Sequence, residues 1–89
     1  MIKILNGKRR SDIEISADIL KVALYGAKKS HIVYRANLNF DVVKKYLKRL
    51  NESGLINFPS INNRIFKTTP KGREYINRYE NLNNYMKVK

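Results

Sequence analysis

The chain has 89 residues, 19 of them Lys or Arg against 7 Asp or Glu, giving a formal net charge of +12 and a pI near 10.2. It contains no cysteine and a single histidine, His31, which excludes disulfides, thiolate metal sites, thiol nucleophiles and His-rich metal clusters. One small domain held by packing alone is expected, and its charge calls for a polyanionic partner, nucleic acid before an anionic membrane.

Residues 1–10 begin with the apolar Ile2, Ile4 and Leu5, turn at Asn6-Gly7 and continue as Lys8-Arg9-Arg10. This reads as a short strand and a basic arm, the arm being either a solvated terminus or a phosphate or minor-groove contact. Ser11 with Glu14 three residues on is a capping box that starts the first helix, and Gly26 ends it. Between them lie two apolar stripes on nearly opposite sides, Ile13, Ala17, Leu20 and Leu24 on one, Ile15, Ile19 and Val22 on the other. A helix apolar on both sides is covered on both. One side meets the core; the other meets the N-terminal segment or a second subunit, and the subunit is the expected cover.

Ala27-Lys28-Lys29-Ser30 leads into a second helix, with Ile32, Val33 and Ala36 facing inward and Tyr34 and Arg35 outward. Cations at a helix N-terminus oppose the macrodipole, so Lys28 and Lys29 add little to the fold but, with Ser30 and the free backbone donors, seat a phosphate. His31 has no catalytic constellation around it and is expected to pack or hydrogen-bond. Asn37 suits a left-handed C-cap, Asn39 an N-cap for the third helix, and Asp41 its first turn. The turn between these helices has the length of a helix-turn-helix.

In the third helix, over residues 39–53, Val43, Tyr46, Leu47 and Leu50 form one apolar stripe, and Asp41, Lys44, Lys45, Lys48, Arg49 and Glu52 fall on the far face. That face reads either as a solvated surface laced by Asp41–Lys45 and Lys48–Glu52 pairs or as a surface for DNA phosphates. In a major groove, Asn39 and Lys45 are the base readers, while Asp41, Val42, Lys44 and Lys48 position the backbone. Asp41 has a second reading, as a complement to the helix dipole alone. Arg35 joins the same set from the second helix.

Residues 55–58 and 64–68 have strand character around a turn at 59–63, and Pro59 ends the first strand. A hairpin directly after the recognition helix is a wing. Asn62, Asn63 and Arg64 at its tip and Lys67 on its return strand then face a minor groove or phosphates, the alternative being an ordinary surface hairpin. Thr69-Pro70 starts the last helix, in which Tyr75, Tyr79, Leu82 and Met86 recur at heptad spacing. Tyr75, Ile76 and Tyr79 are assigned to the chain's own domain, whereas Leu82, Tyr85 and Met86 overhang it. The expected subunit contact comprises Ile15, Ile19, Val22, Tyr79, Leu82, Tyr85 and Met86.

The order of elements from Ser11 to about Met86 resembles a winged-helix DNA-binding domain. The stretches Arg10-Ser11-Asp12-Ile13-Glu14-Ile15, Ala27 through Leu38, Tyr46-Leu47 through Gly54-Leu55-Ile56, and Lys67-Thr68-Thr69-Pro70-Lys71-Gly72 resemble the small archaeal winged-helix regulators, whose relatives include archaeal chromatin proteins and products of archaeal viruses. The resemblance implies dimerisation through helices outside the winged helix, either as an antiparallel coiled coil of C-terminal helices or in the more compact manner of MarR-like regulators. The last helix here is short for the coiled-coil type.

The expected fold is α+β, mostly α: an N-terminal segment with a basic arm (1–10), a winged helix-turn-helix (11–69), and a C-terminal dimerisation helix (70–89). The expected function is that of a homodimeric, sequence-specific regulator binding double-stranded DNA, with a sequence-tolerant architectural protein and a protein-binding winged helix as alternatives. No cofactor, metal or enzymatic activity is expected, since no catalytic or phosphate-loop pattern is present, and nothing marks an effector site. No apolar run reaches the ~20 residues of a membrane span and residues 1–5 are too short for a signal peptide. A soluble cytoplasmic protein, nucleoid-associated, or in a host cytoplasm if viral, is therefore expected.

Overall fold

Side-chain caps open three of the helices where the sequence places them. The computed structural model describes residues 10–59 and 64–87, with side chains to residue 85. The expected N-terminal strand, Lys8, Arg9, Ile61, Asn62, Asn63 and the Met86 side chain lie outside the described residues. Helix α1 spans Asp12–Val22, α2 Lys29–Ala36, α3 Phe40–Glu52 and α4 Pro70–Lys87, with strands β1 (Ile56–Asn57) and β2 (Lys67–Thr68) between α3 and α4. Ser11 Oγ accepts from Glu14 N at 3.1 Å, and Asn39 Oδ1 accepts from Val42 N at 2.8 Å. Thr69 Oγ1 accepts from Gly72 N at 3.0 Å at the start of α4. Asn37 takes the left-handed conformation at φ 57° and ψ 52°, which turns the chain from α2 into α3.

Helix α1 stops earlier than the sequence implies, at Val22 rather than beside Gly26. Its last carbonyls are taken by the wing: Thr68 N donates to Ala23 O at 3.0 Å and Thr68 Oγ1 to Leu20 O at 2.8 Å. These bonds replace the continuation of the helix and hold β2 against its end. Leu24 therefore sits in the turn that follows, and Gly26, at φ 105°, begins the approach to α2.

The two strands pair antiparallel, Ile56 with Thr68 and Asn57 with Lys67. A further bridge joins Ala27, between α1 and α2, to Phe66, with reciprocal bonds of 2.9 and 2.8 Å. The wing is thus anchored to the start of α2, a pairing the sequence pattern did not suggest.

The core is built from Ile19, Leu20, Ile32, Val43, Leu47 and Ile56, all essentially without exposure. Burying each such side chain contributes roughly 1.5–3 kcal/mol. Ile19, expected at a subunit contact, is fully inside this core, and Ile15 and Val22 pack against it. Helix α1 packs on α2, α3 and α4 of its own chain, while Ile13, expected to face the core, stays 57% exposed. Ile19 is thereby corrected from the expected subunit contact to the chain's own core.

Arg10 also departs from its expected place in a basic arm. Its guanidinium donates to Asp18 Oδ2 at 2.7 Å and to Ala36 O at 3.0 Å, tying the entry of α1 to the end of α2. On the other side, Tyr46 donates its hydroxyl to Asp12, and Arg49 lies 3.7 Å from the same carboxylate. The Tyr46 hydrogen bond, aided by the Arg49 charge, lowers the Asp12 pKa below its ordinary 3.8. A carboxylate lowered on folding supports the fold above its unfolded pKa and loses that support as pH falls through the folded value. Asp12→Asn should therefore flatten the acid limb of a urea-denaturation series run from about pH 5 to about pH 2; an unchanged acid limb would show that the contact does not matter to folding.

Candidate nucleic-acid interface

The face that carries the expected contacts is set by what α3 buries. Val43, Tyr46, Leu47 and Leu50 point into the core, so Asp41, Lys44, Lys45 and Lys48 are exposed. Among the described residues the ion pairs are Arg10–Asp18, Lys21–Glu80, Arg49–Asp12 and Arg78–Glu74. Neither Asp41–Lys45 nor Lys48–Glu52 is among them. Arg49 leaves the face altogether, its guanidinium lying 5.0 Å from the Tyr46 ring centroid beside Asp12.

Helix α2 begins at Lys28 with no side-chain cap and no acidic residue in its first turn. The first-turn donors are thus left for an external acceptor, with Lys28, half-buried Lys29 and Ser30 around them. At the other end Arg35 Nη1 approaches His31 Nε2 at 3.3 Å. Since a guanidinium only donates, Nε2 is the acceptor there. His31 is a hydrogen-bonding residue, as its isolation in the sequence implied.

Two hollows show how these elements converge. One, of about 370 Å³, is lined by Lys29, Lys44, Leu47, Lys48, Phe58 and Phe66. Its neighbour, of about 360 Å³, is lined by Lys28, Lys29, Ser30, Pro59, Arg64 and Phe66. Lys29 and Phe66 belong to both, so the start of α2, the flank of α3 and the base of the wing form one cationic surface. Asn39, Asp41, Lys45 and Lys67 are exposed but line neither hollow, and Arg35 lies at the far end of α2.

Asn39 has a structural task as well as its expected one. Its Oδ1 is held by the Val42 amide, whereas a bidentate adenine contact draws on both the oxygen and the nitrogen of the side chain. Asn39→Ala should cost about 1 kcal/mol of stability through the lost cap, and Asn39→Ser should restore most of it. Thermal unfolding checks both, and equal stability of all three chains would deny the cap its role. Phe58 was not singled out from the sequence. The signal was there in outline: a large apolar residue just before Pro59, where the wing leaves the domain.

A family profile described as winged helix-turn-helix matches residues 9–87. The chain belongs to the winged helix-turn-helix family. Its winged helix is similar to the crystal structure of Sso10a-2, a DNA-binding protein from Sulfolobus solfataricus, with a TM-score of 0.79 at 27% identity, over 86% of this chain and 82% of that one. It is also similar in fold to the transcriptional regulator BldR from Sulfolobus solfataricus, with a TM-score of 0.67 at 22% identity, over 84% of this chain and 62% of that one. No curated protein sequence matches it significantly. The winged helix fits the small archaeal type that the sequence resembles. Among the described residues no group of His, Asp and Glu is arranged to hold a metal ion, and no helix is long and apolar enough to cross a membrane.

Proposed function

We propose that this protein is a homodimeric regulator that binds double-stranded DNA, with α3 in the major groove and the wing on the minor groove or backbone. One observation carries the reading: Lys28, Lys29, Lys44, Lys48 and Arg64, drawn from three elements, border adjoining hollows and take part in none of the ion pairs among the described residues. Similarity to Sso10a-2, itself described as DNA-binding, supports it. In this reading Lys45 and Asn39 face bases, Lys44, Lys48 and Arg35 hold phosphates, Asp41 orients the helix start, and Lys28, Lys29 and Ser30 seat a phosphate at the start of α2. Arg64 and Lys67, with Asn62 and Asn63, contact DNA from the wing. The protein acts by binding and not as an enzyme, in the cytoplasm where the DNA lies.

Selection of duplexes from a random library by the purified protein, at two salt concentrations, tests specificity. A palindromic motif with half-sites about 34 Å apart supports a dimeric regulator. Tight binding without a motif moves the protein to the architectural reading, which its net charge of +12 favours, since phosphate contacts alone give non-specific affinity. No retained DNA would leave the winged helix as a protein-binding module.

The subunit contact is assigned to the end of α4. There Leu82 is 57% and Tyr85 78% exposed on a helix whose Tyr75 and Tyr79 are half-buried on their own domain. Sedimentation equilibrium at micromolar concentration is expected to give twice the 10.5 kDa of one chain, and Leu82→Ala/Tyr85→Ala to return it to that mass. A monomer before substitution would refute the assignment.

A further inference from the structure

The hollow between α3 and the wing has a floor that phosphates do not use. Leu47, Phe58 and Phe66 form it, with Phe58 49% exposed and set edge-on to Phe66 at 5.3 Å between centroids. Around this carbon floor stand Lys29, Lys44 and Lys48, and no carboxylate lines the space. A DNA backbone offers charged phosphates and polar sugars, which gain from the lysines but little from the rings. At about 370 Å³ the hollow falls within the range of small-molecule pockets, which pair an apolar lining with a few convergent polar groups.

We propose that this hollow binds a small organic anion, a flat apolar body lying against Phe58 and Leu47 with its carboxylate, sulfonate or phosphate group among the three lysines. Lys29, Lys44 and Lys48 are also cations that the DNA reading places against phosphates. The bound anion occupies the space among them and draws on their charge, so ligand and duplex exclude one another. This antagonism rests on the DNA reading; the site itself does not.

Anilinonaphthalene sulfonate, a fluorescent aryl anion of suitable size, tests both parts when titrated into the full chain without DNA. Saturable enhancement at one site per chain is expected, with uncharged phenylnaphthylamine binding at least about tenfold more weakly for want of its charged hydrogen bonds. Phe58→Ala should weaken the dye at least about tenfold by removing its apolar seat, with circular dichroism checking the fold. Lys29→Ala, at the half-buried rim, gives the same test if Phe58→Ala does not fold. No enhancement, or enhancement insensitive to Phe58 and Lys29 but lost in Leu82→Ala/Tyr85→Ala, would overturn the site. Added duplex should release the dye; simultaneous binding of both would overturn the antagonism. Dye binding by a protein that binds no duplex would uphold the site while defeating the DNA reading.

Discussion

Lys44→Ala/Lys45→Ala is expected to bind duplex DNA about 100-fold more weakly than the natural chain at moderate salt. A hydrogen bond to a charged partner contributes about 1.5–3 kcal/mol, and two at the lower end give that factor. Both side chains are exposed and outside the ion pairs among the described residues, so neither supports the fold and thermal stability should stay the same. The salt dependence carries a separate signature. Each phosphate neutralised contributes about −0.9 to the slope of log affinity against log salt, so the double substitution, which removes the phosphate contact of Lys44 and the base contact of Lys45, should make the slope shallower by about 0.9. Fluorescence-anisotropy titrations over a salt series measure both quantities. Unchanged affinity would remove this face of α3 from the interface, and lost affinity with an unchanged slope would mean that Lys44 does not meet a phosphate.

Gly72→Ala should destabilise the protein by about 3 kcal/mol, the upper part of the range for overpacking. Helix propensity predicts the opposite sign, since alanine is favoured over glycine inside a helix by about 1 kcal/mol. Packing wins because a Cβ at Gly72 would lie 2.2 Å from Leu55 O and 2.5 Å from Thr68 Cγ2. The oxygen has little freedom to withdraw, as it accepts from Thr69 N at 3.0 Å where α4 begins. Relief requires α4 to move from the β1–β2 hairpin or Thr68 to leave the carbonyls at the end of α1. For a domain of this size such a loss lowers the melting temperature by about 15 °C. A melting temperature equal to or above that of the natural chain would show that α4 does not approach the wing this closely.

The contrast between these residues shows what the sequence makes legible. Ser11, Asn37 and Asn39 act on backbone groups within a few residues of themselves, and their roles could be read along the chain. The burial of Val43, Tyr46, Leu47 and Leu50 followed from helical period, and with it the exposure of Lys44, Lys45 and Lys48. Long-range partners carry no such signature. Nothing near Ala27 announces Phe66, and nothing near Gly72 announces the Leu55 carbonyl. Arg49 fits the cationic face by helical angle, yet Asp12, far away in sequence, draws it aside. Periodicity also showed that α1 is apolar on two sides without showing that α4 of the same chain covers one of them. Phe58 was hidden for a related reason: its neighbours Leu47 and Lys44 come from α3 and Lys29 from α2.

Amide chemical-shift mapping of the protein during titration with a short duplex reports where DNA sits without altering a residue. Shifts are expected to concentrate at residues 28–30, along the exposed face of 40–48 and at 64–67, with α1 and the end of α4 little affected. Shifts confined to α1 or to the region of Leu82 and Tyr85, or no shifts at low salt, would contradict it.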